Sequence, residues 1–416
     1  MKPLLLSLIL LSTAHAQTPA QQLLVALNRS DAAAIANVVS QERTRLGSAA
    51  GVPEVADTYY PVPANTPWID TALARRGFTP HFERLRRMTA AWKPGIDPTS
   101  MTEALRAPAA VIIGCVAIAK ADLEGKAEAL QLASTLADFL MWTQAQAGAG
   151  CFPFPAAKGT SKDRAMQVAT RFLNKAEKAG KLAETVRNGW AFEDHGDGGL
   201  QFDNAECGLA LFELHELTQD ARQLASARKA ADWALARPLC PNWNYNAFSV
   251  HLLAKAHAVT QDLHYLEAAL QKARLGVIPG QLTEGPHAGR WLDAHNARPA
   301  YHYIMMGALA QLAAGLPIEH PGHPITVSAL KLGLTARNTE FATRGVMNKD
   351  KAMEALLLIF DLFVEDPTFL ETTQTRTALQ VLGALVSEEN RRGKLPLGPR
   401  AWGLFLAHAA TRSPRG

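Results

Sequence analysis

The chain is poor in charged residues and carries almost no net charge. Only 19% of its 416 residues are Asp, Glu, Lys or Arg, and the formal net charge is +4. The basic residues form only small groups, at Arg75-Arg76, at Arg84 with Arg86-Arg87, and at Arg391-Arg392 with Lys394. This pattern argues against nucleic acid as a partner. Because hydrophobic residues make up 48% of the chain, a large core can be buried.

Several signatures of known chemistry are also missing from the sequence. There is no G-x-S-x-G elbow, no P-loop and no G-x-G-x-x-G fingerprint. The pair His215-Glu216 is followed by Gln219, so the H-E-x-x-H pattern of zinc proteases fails. The four cysteines contain no C-x-x-C pair, which argues against a zinc site. No cofactor is expected.

Long apolar runs are absent as well, so no membrane span is expected. The run Leu4–Leu11 is too short to cross a bilayer, and it is followed by an A-x-A site ending at Ala16. This pattern predicts a signal peptide over residues 1–16, with a buried N-terminal helix as the alternative. The mature protein is therefore expected to be secreted or periplasmic. Disulfides are then plausible, and two similar hairpins would be closed by pairing Cys115 with Cys151 and Cys207 with Cys240.

What the sequence does contain is a repeated helical hairpin. Apolar residues recur at helical spacing in Ala107–Trp142, Asn204–Arg237 and Asn246–Val277, each with a tight turn between two helices. Comparable segments follow as one further helix near Pro299, a pair covering Lys349–Glu365 and Thr373–Glu389, and a last helix over Pro399–His408. No run alternates convincingly with period two, so any sheet should be minor.

Hairpins that stack and close on themselves form an all-α fold, the α/α toroid, with first helices inside and second helices outside. We predict this domain over residues 99–416, preceded over residues 17–98 by a helical and extended segment. A Pro-rich stretch at residues 59–63 is expected to wrap the outside of the ring. In such a ring, all loops that follow second helices lie on the same rim.

The stretch DNAECGLALFELHELTQDARQLASARKAADWAL resembles the repeats of six-hairpin, glycosidase-like proteins, and WLDAHNARPAYHYIMMGALAQL is similar to one of their late repeats. The resemblance covers roughly residues 105–315. It implies the toroid and an activity on carbohydrates, which these families perform as hydrolases, lyases or epimerases. No family-defining catalytic signature is present, and the same ring also carries unrelated chemistry.

Three loops concentrate polar and aromatic side chains. The first, Trp190–Asp203, combines carboxylates with glycines and rings, and Asp203 is alternatively the N-cap of the next helix. The second, Cys240–Asn246, is alternatively a helix entry whose rings cover the core. The third, Pro279–Pro299, is long enough to be functional, or else a solvated excursion. We expect all three to line one pocket.

These loops supply the candidate site residues. The catalytic candidates are Asp197, Asp203, Glu284, Asp293, Tyr301 and His302. The substrate-binding candidates are Trp190, Asp194, His195, Trp243, Asn244, Tyr245, His251, His287, Arg290, Trp291 and Arg298. A metal could be held if His195, Asp197, His287, Asp293 and His295 converged, but no metal site is expected.

Two mechanisms can use these parts. A glycoside hydrolase needs one carboxylic acid and one carboxylate, which Asp197 or Asp203 could supply with Glu284 or Asp293. A polysaccharide lyase or uronate epimerase needs a Tyr or His base and donors for the uronate carboxylate. The sequence favours a carbohydrate-directed hydrolase, with the lyase, the epimerase and a non-catalytic saccharide-binding toroid as alternatives.

Overall fold

A computed structural model describes residues 19–46, 79–96, 105–148, 150–155, 171, 174–175, 177–180, 186–187, 190–191, 200–292, 298–394 and 397–412. The predicted signal peptide and the Pro-rich stretch at residues 59–63 lie outside these ranges. Inside them the protein is almost entirely α-helical, as the hairpin pattern predicts. Among the helices described, none is long and apolar enough to cross a bilayer.

The helices of these ranges are numbered in chain order. Before the ring come α1 (Pro19–Asn28), α2 (Ala32–Leu46) and α3 (Thr79–Thr89). The ring itself contains α4 (Arg106–Lys120), α5 (Lys126–Ala147), α6 (Leu200–Thr218), α7 (Ala221–Ala236), α8 (Trp243–Thr260), α9 (Leu263–Gly276), α10 (Pro299–Gly315), α11 (Gly322–Arg344), α12 (Lys349–Leu362), α13 (Pro367–Thr372), α14 (Thr375–Arg391) and α15 (Pro399–Arg412).

The first helices of the hairpins form a closed inner ring. Helix α4 packs on α6, and the chain of contacts continues through α8, α10 and α12 to α15, which packs back on α4. Helices α5, α7, α9, α11 and α14 each pack outside an inner helix. The inner helices bury nearly every side, so they are apolar all round rather than amphipathic. The predicted α/α toroid is confirmed by this closure.

The inner helices run in one direction around the ring. Side chains near their beginnings meet one another, as Arg400 of α15 does with Glu206 of α6. Side chains near their ends also meet, as Lys120 of α4 does with Glu213 of α6. One rim of the ring therefore carries the starts of the inner helices, and the opposite rim carries their ends.

Two hairpins repeat the same turn. Gln219 and Gln261 both adopt a left-handed backbone with φ near 59° and end their inner helices. The next residue, Asp220 or Asp262, caps the outer helix by accepting a hydrogen bond from the main chain two residues later. His215 and His257 donate from Nδ1 to the main-chain oxygens of these aspartates at 2.9 and 3.0 Å. Caps of this kind contribute about 1 kcal/mol each.

The seam between the first and last inner helices depends on two glycines. A Cβ at Gly403 of α15 would lie 2.4 Å from the main-chain oxygen of Gly114 in α4. A Cβ at Gly114 would lie 2.3 Å from the main-chain oxygen of Pro399. The two backbones are in direct contact, and only glycine permits this separation.

Helix α3 adds to the outer layer at this seam. The ring of His81 packs edge-on against the buried indole of Trp402 in α15, with centroids 5.4 Å apart. The side chains of Thr79 and Phe82 lie against Gly125, in the turn between α4 and α5. The segment before residue 98 therefore contacts the ring directly. The boundary proposed near that residue stays a prediction.

Strands are minor, as expected. The short strands β1 (Phe154–Pro155), β2 (Val186–Arg187) and β3 (Trp190–Ala191) form one antiparallel sheet in the order β1-β3-β2. Trp190, predicted in a loop, lies on the central strand.

The expected disulfides are not formed. All four cysteines are buried free thiols. Burial raises the pKa of Cys115 to about 12 and raises that of Cys207 well above its usual value, so both stay protonated. The Cys240 Sγ instead contacts the amide of Gln201 at 3.6 Å and that of Asn246 at 3.4 Å. The two predicted pairings were wrong, since each sulfur is buried as a thiol and that of Cys240 packs against two amides.

Candidate functional site

The ring encloses a central cavity of about 350 Å³. All six inner helices contribute to its wall, which is mostly apolar and includes Phe248 and Tyr303. Polar side chains occur in two groups, one at each end of the cavity. Among the lining residues, the side chains of Glu206 and Arg400 are only 7% and 13% exposed. Lys120 and Asp361, at the ends of their helices, are 40% and 52% exposed.

The deep end of the cavity holds a buried ion-pair network. Arg400 Nη1 donates to Glu206 Oε2 at 2.6 Å, and Arg400 Nε lies 3.5 Å from Glu354 Oε2. Lys351 Nζ donates to the same Glu354 oxygen at 2.9 Å. Burial alone would raise the pKa of Glu206, but the charges of Arg400 and Lys351 outweigh burial and lower it to about 2. Glu206 is therefore an ionised carboxylate at neutral pH.

Asp203 lies one helical turn before Glu206 on α6, and its pKa is shifted in the opposite direction. Its residue is 2% exposed, and burial raises its pKa although the charge of Arg106 opposes the rise. The nearby Glu206 charge raises it further. Oδ1 of Asp203 has no hydrogen-bond partner in the described part of the chain. The alternative that Asp203 caps the helix is wrong, because α6 begins three residues earlier, at Leu200.

His251 also faces the deep end from α8. Burial lowers its pKa to about 3, and the neighbouring charge of Arg400 contributes to the shift. The imidazole is therefore neutral at any ordinary pH. It can accept or donate one hydrogen bond toward a ligand in the cavity.

The open end of the cavity carries a second group of paired charges. Lys120 contacts Glu213 and Glu216 at 2.7 and 2.8 Å, and Lys255 contacts the same two glutamates at 2.7 and 2.9 Å. Burial would raise the pKa of Glu213, but the two lysines lower it to about 2. These pairs join the ends of α4, α6 and α8, so their first role is to hold the ring.

Three solved structures share a distant similarity with about four fifths of this chain. A polysaccharide lyase shares 14% identity with a TM-score of 0.49, covering 82% of this chain and 96% of its own. A glycosyl hydrolase of family 88 from Bacteroides vulgatus shares 12% identity with a TM-score of 0.48, covering 80% and 96%. An unsaturated glucuronyl hydrolase specific for heparin shares 11% identity with a TM-score of 0.30, covering 77% and 99%. No family model matches the sequence. No curated protein matches it either.

Of the described candidates, His251 lies in the cavity wall, whereas Asp203 is buried on α6 one turn before the wall residue Glu206. The second predicted loop packs differently. Trp243 is buried, and a Cβ at Gly280 would come within 2.5 Å of its indole ring. Asn244 is also buried and donates to Asn242 Oδ1 at 2.6 Å, while Tyr245 is half-buried against the core. These side chains hold the beginning of helix α8 in place.

The described part of the third loop folds back on itself. Trp291 is buried and donates from Nε1 to the main-chain oxygen of Val277 at 2.8 Å. His302 lies edge-on to Trp291 and donates from Nε2 to the main-chain oxygen of Gly333 at 2.9 Å. Burial lowers the pKa of His302 well below its usual value. Further out, Glu284 and Arg298 are exposed, whereas the half-buried residues are His287, Arg290 and Tyr301.

The remaining candidates fall outside the described residues. They are Asp194, His195, Asp197, Asp293 and His295, together with the side chain of Trp190. Within the described part of the chain, no group of three His, Cys, Asp or Glu side chains could hold a metal ion. The predicted convergence of the three loops on one pocket therefore stays a prediction.

The sequence analysis did not select Glu206, Glu354 or Arg400. Each is a charged residue on the inner side of a largely apolar helix, where a charge is costly unless it is paired. That contrast was visible in the segments DNAECGLALF and KDKAMEALLLIF. Only the closed ring reveals that residues 194 positions apart form one ion pair.

Proposed function

We propose that this protein is a glycoside hydrolase that acts on a saccharide reaching the central cavity. Asp203 is the general acid, and Glu206 is the base or nucleophile. The observation that carries the proposal is the opposite shift of two pKa values on one helix. Asp203 is held toward the protonated form, and Glu206 is held ionised.

A glycoside hydrolase needs this division of roles. One carboxylic acid protonates the leaving oxygen, and one carboxylate attacks the sugar or activates water. Environments that push the pKa values of two neighbouring carboxyl groups apart assign these roles. Residues three apart on a helix have Cβ atoms about 5–6 Å from each other. Glu206 lines the cavity whereas Asp203 is buried one turn away, so the proposal requires that a bound saccharide gains access to the Asp203 carboxyl.

The unpartnered oxygen of Asp203 supports its place in the reaction. A buried acceptor without a partner costs about 1–3 kcal/mol. A substrate hydroxyl or leaving-group oxygen would remove this cost when the acid meets it. Arg400 acts as a positioning residue, since it orients the Glu206 carboxylate at 2.6 Å and keeps it ionised.

A saccharide is the substrate class that fits the cavity. Its volume lies near the lower end of the roughly 300–1,000 Å³ range of small-molecule sites, so it holds one or two sugar units. The wall supplies apolar surface, and the buried charges at the deep end supply polar groups. The sequence resemblance to six-hairpin, glycosidase-like proteins also supports a saccharide as the substrate. The predicted signal peptide would place this activity in the periplasm or outside the cell.

The test is a screen of neutral and uronate polysaccharides, read for reducing ends and for absorbance from an unsaturated product. We expect reducing ends without absorbance. Asp203→Asn and Glu206→Gln should each lose about 10²–10⁴-fold in turnover, the usual contribution of a general acid or base. Asp232→Asn on α7 and Glu389→Gln on α14 are matched controls outside the cavity.

Two results would contradict the proposal. Absorbance together with reducing ends would indicate a lyase. A well-folded protein that binds saccharides from the panel but cleaves none of them would be a binding toroid.

A further inference from the structure

We infer that the saccharide bound in the central cavity carries an apolar group, such as an alkyl, aryl or acyl chain. The group lies against a belt of apolar side chains between the two polar ends of the cavity. This inference rests on the proposed function, whose substrate class it narrows. Its basis is the order in which polar and apolar residues follow one another along the inner helices.

Two inner helices place apolar wall between two carboxyl groups. On α6, Leu209 lines the cavity between Glu206 and Glu213. The same order recurs on α12, as Glu354, Leu358 and Asp361. In both helices the second carboxyl residue follows the first by seven positions, which corresponds to about 10 Å along the helix axis. The wall of these helices is therefore polar at both ends of the cavity and apolar between them.

Two further inner helices complete the belt. Ile304 of α10 and Leu404 of α15 line the cavity near the middle of their helices, and together with Leu209 and Leu358 they define the apolar belt. Ile304, Leu358 and Leu404 are only half-buried, although they belong to the inner layer of the ring. Because each of them lines the cavity, their uncovered carbon surface is available to a ligand inside it.

A bare sugar does not complement this belt. Its hydroxyl groups would exchange water for aliphatic carbon there, and a polar group buried without a hydrogen bond is strongly disfavoured. An apolar group is favoured, since it removes its own surface and that of the belt from water. The deep end, with Glu206 and the neutral imidazole of His251, offers the hydrogen bonds that the sugar ring needs.

The probes are methyl, propyl and hexyl glucosides, and calorimetry at pH 7 measures their dissociation constants with the full-length protein. One buried methylene contributes about fourfold in affinity, so propyl glucoside should bind about 15-fold more tightly than methyl glucoside. Hexyl glucoside should bind more tightly still. The 2-(2-hydroxyethoxy)ethyl glucoside has a chain as long as hexyl with two carbons replaced by oxygen, and it should show no gain over methyl glucoside.

Two further probes separate the parts of the ligand. Hexan-1-ol should bind more weakly than hexyl glucoside, because it lacks the sugar. Methyl 6-O-hexanoyl glucoside carries its chain on the ring rather than on the anomeric oxygen. The tighter of this ester and hexyl glucoside identifies where the natural ligand carries its apolar group.

Leu358→Asn tests the belt itself. The substitution keeps a similar side-chain size but places an amide among aliphatic side chains. The gain from methyl to propyl should fall from about 15-fold to under about threefold, while the affinity for methyl glucoside stays unchanged. Leu263→Asn is the matched control, because Leu263 is 62% exposed on α9 and does not line the cavity. If circular dichroism shows that Leu358→Asn does not fold, Ala407→Phe places a ring in the cavity from α15 and should remove the gain for hexyl glucoside.

The outcomes separate the two proposals. If methyl and hexyl glucosides bind equally, or if the ether chain gives the same gain as hexyl, the inference is wrong and the glycosidase proposal stands. If hexan-1-ol binds as tightly as hexyl glucoside, the cavity does not recognise the sugar, and the proposed function fails together with the inference. If Leu358→Asn folds and keeps the full gain, the belt does not bind the chain and the inference is overturned. If no probe binds, the inference is also overturned, and the reducing-end screen alone decides on the proposed function.

Discussion

Replacing Arg400 by methionine removes the central partner of the deep ion-pair network. The side chain keeps a similar length but loses the guanidinium, so Glu206 becomes a buried carboxylate without its 2.6 Å contact. Breaking a buried pair from one side costs about 3–5 kcal/mol. The pKa of Glu206 is lowered from 4.5 to about 2 by Arg400 together with Lys351 and His251, which corresponds to about 3 kcal/mol for all of these charges and sets an upper limit for Arg400 alone.

The same pair predicts a pH dependence. Because the pKa of Glu206 is lower in the folded state, its contribution is complete above about pH 5 and is lost as the pH falls toward 2. In Arg400→Met this contribution is absent at neutral pH. The difference in unfolding free energy between wild type and variant should therefore shrink as the solution is acidified.

Urea unfolding at pH 7 and pH 3 measures both effects. Wild type, Arg400→Met, Glu206→Gln and the double variant form a cycle that isolates the pair. We expect a coupling free energy of about 2–3 kcal/mol at pH 7 and clearly less at pH 3. A coupling below about 0.5 kcal/mol at pH 7, or one that does not change with pH, would refute this account of the network.

Three further predictions concern the seam between α4 and α15, the four cysteines and the carboxyl group of Asp203. Gly403→Ala should destabilise the protein by about 3 kcal/mol or more, because the new Cβ would lie 2.4 Å from the main-chain oxygen of Gly114. Gly307→Ala is the control and should cost under about 1 kcal/mol, because its Cβ would meet only the methyl group of Ala355, at 4.0 Å. Equal melting temperatures would contradict the tight seam. Thiol titration should find four reactive cysteines in denaturant and none within minutes in the native protein, and fewer than four would indicate a disulfide. Asp203→Asn should be more stable than wild type at pH 8 and lose that advantage as the pH falls, because burial raises the pKa of Asp203 and its ionised form destabilises the fold. A variant less stable at pH 8 would contradict this assignment.

The fold was predictable from the sequence because the hairpins repeat in detail. The segments Thr218-Gln219-Asp220 and Thr260-Gln261-Asp262 are copies of one turn, and both form the same cap in the structure. The two histidines that precede these turns donate to the turns themselves. Residue types with strong local preferences are therefore informative even without an alignment.

The candidate site was predictable only in part. Asp203 was selected as a carboxylate at the end of a polar, aromatic loop, and His251 as a histidine on the helix that follows the second loop. Glu206 and Arg400 were missed because their significance comes from ring closure, which brings together the first and last repeats. Trp243 and Trp291 were selected as substrate-binding residues, but both are buried. A sequence pattern does not distinguish an indole that stacks on a ligand from one that packs a loop.

The cysteines show a similar limit. Their places in two comparable hairpins predicted two bridges, but spacing along the chain does not fix the direction in which each sulfur points. Cys240 faces Gln201 and Asn246, and Asn246 in turn bonds to the main chain of Gly276 at 2.8 Å. The Cys240 sulfur therefore has partners other than a second cysteine.

The most direct test of the central claim is the pH profile of kcat/KM for hydrolysis of a neutral glycoside. We predict a bell-shaped curve for the wild type, with the acidic limb set by Glu206 and the alkaline limb set by Asp203, whose pKa burial raises. In Asp203→Asn the alkaline limb should disappear from the residual activity, while the acidic limb remains. An unchanged alkaline limb in Asp203→Asn would contradict the claim that these two carboxyl groups on α6 divide the roles of acid and base.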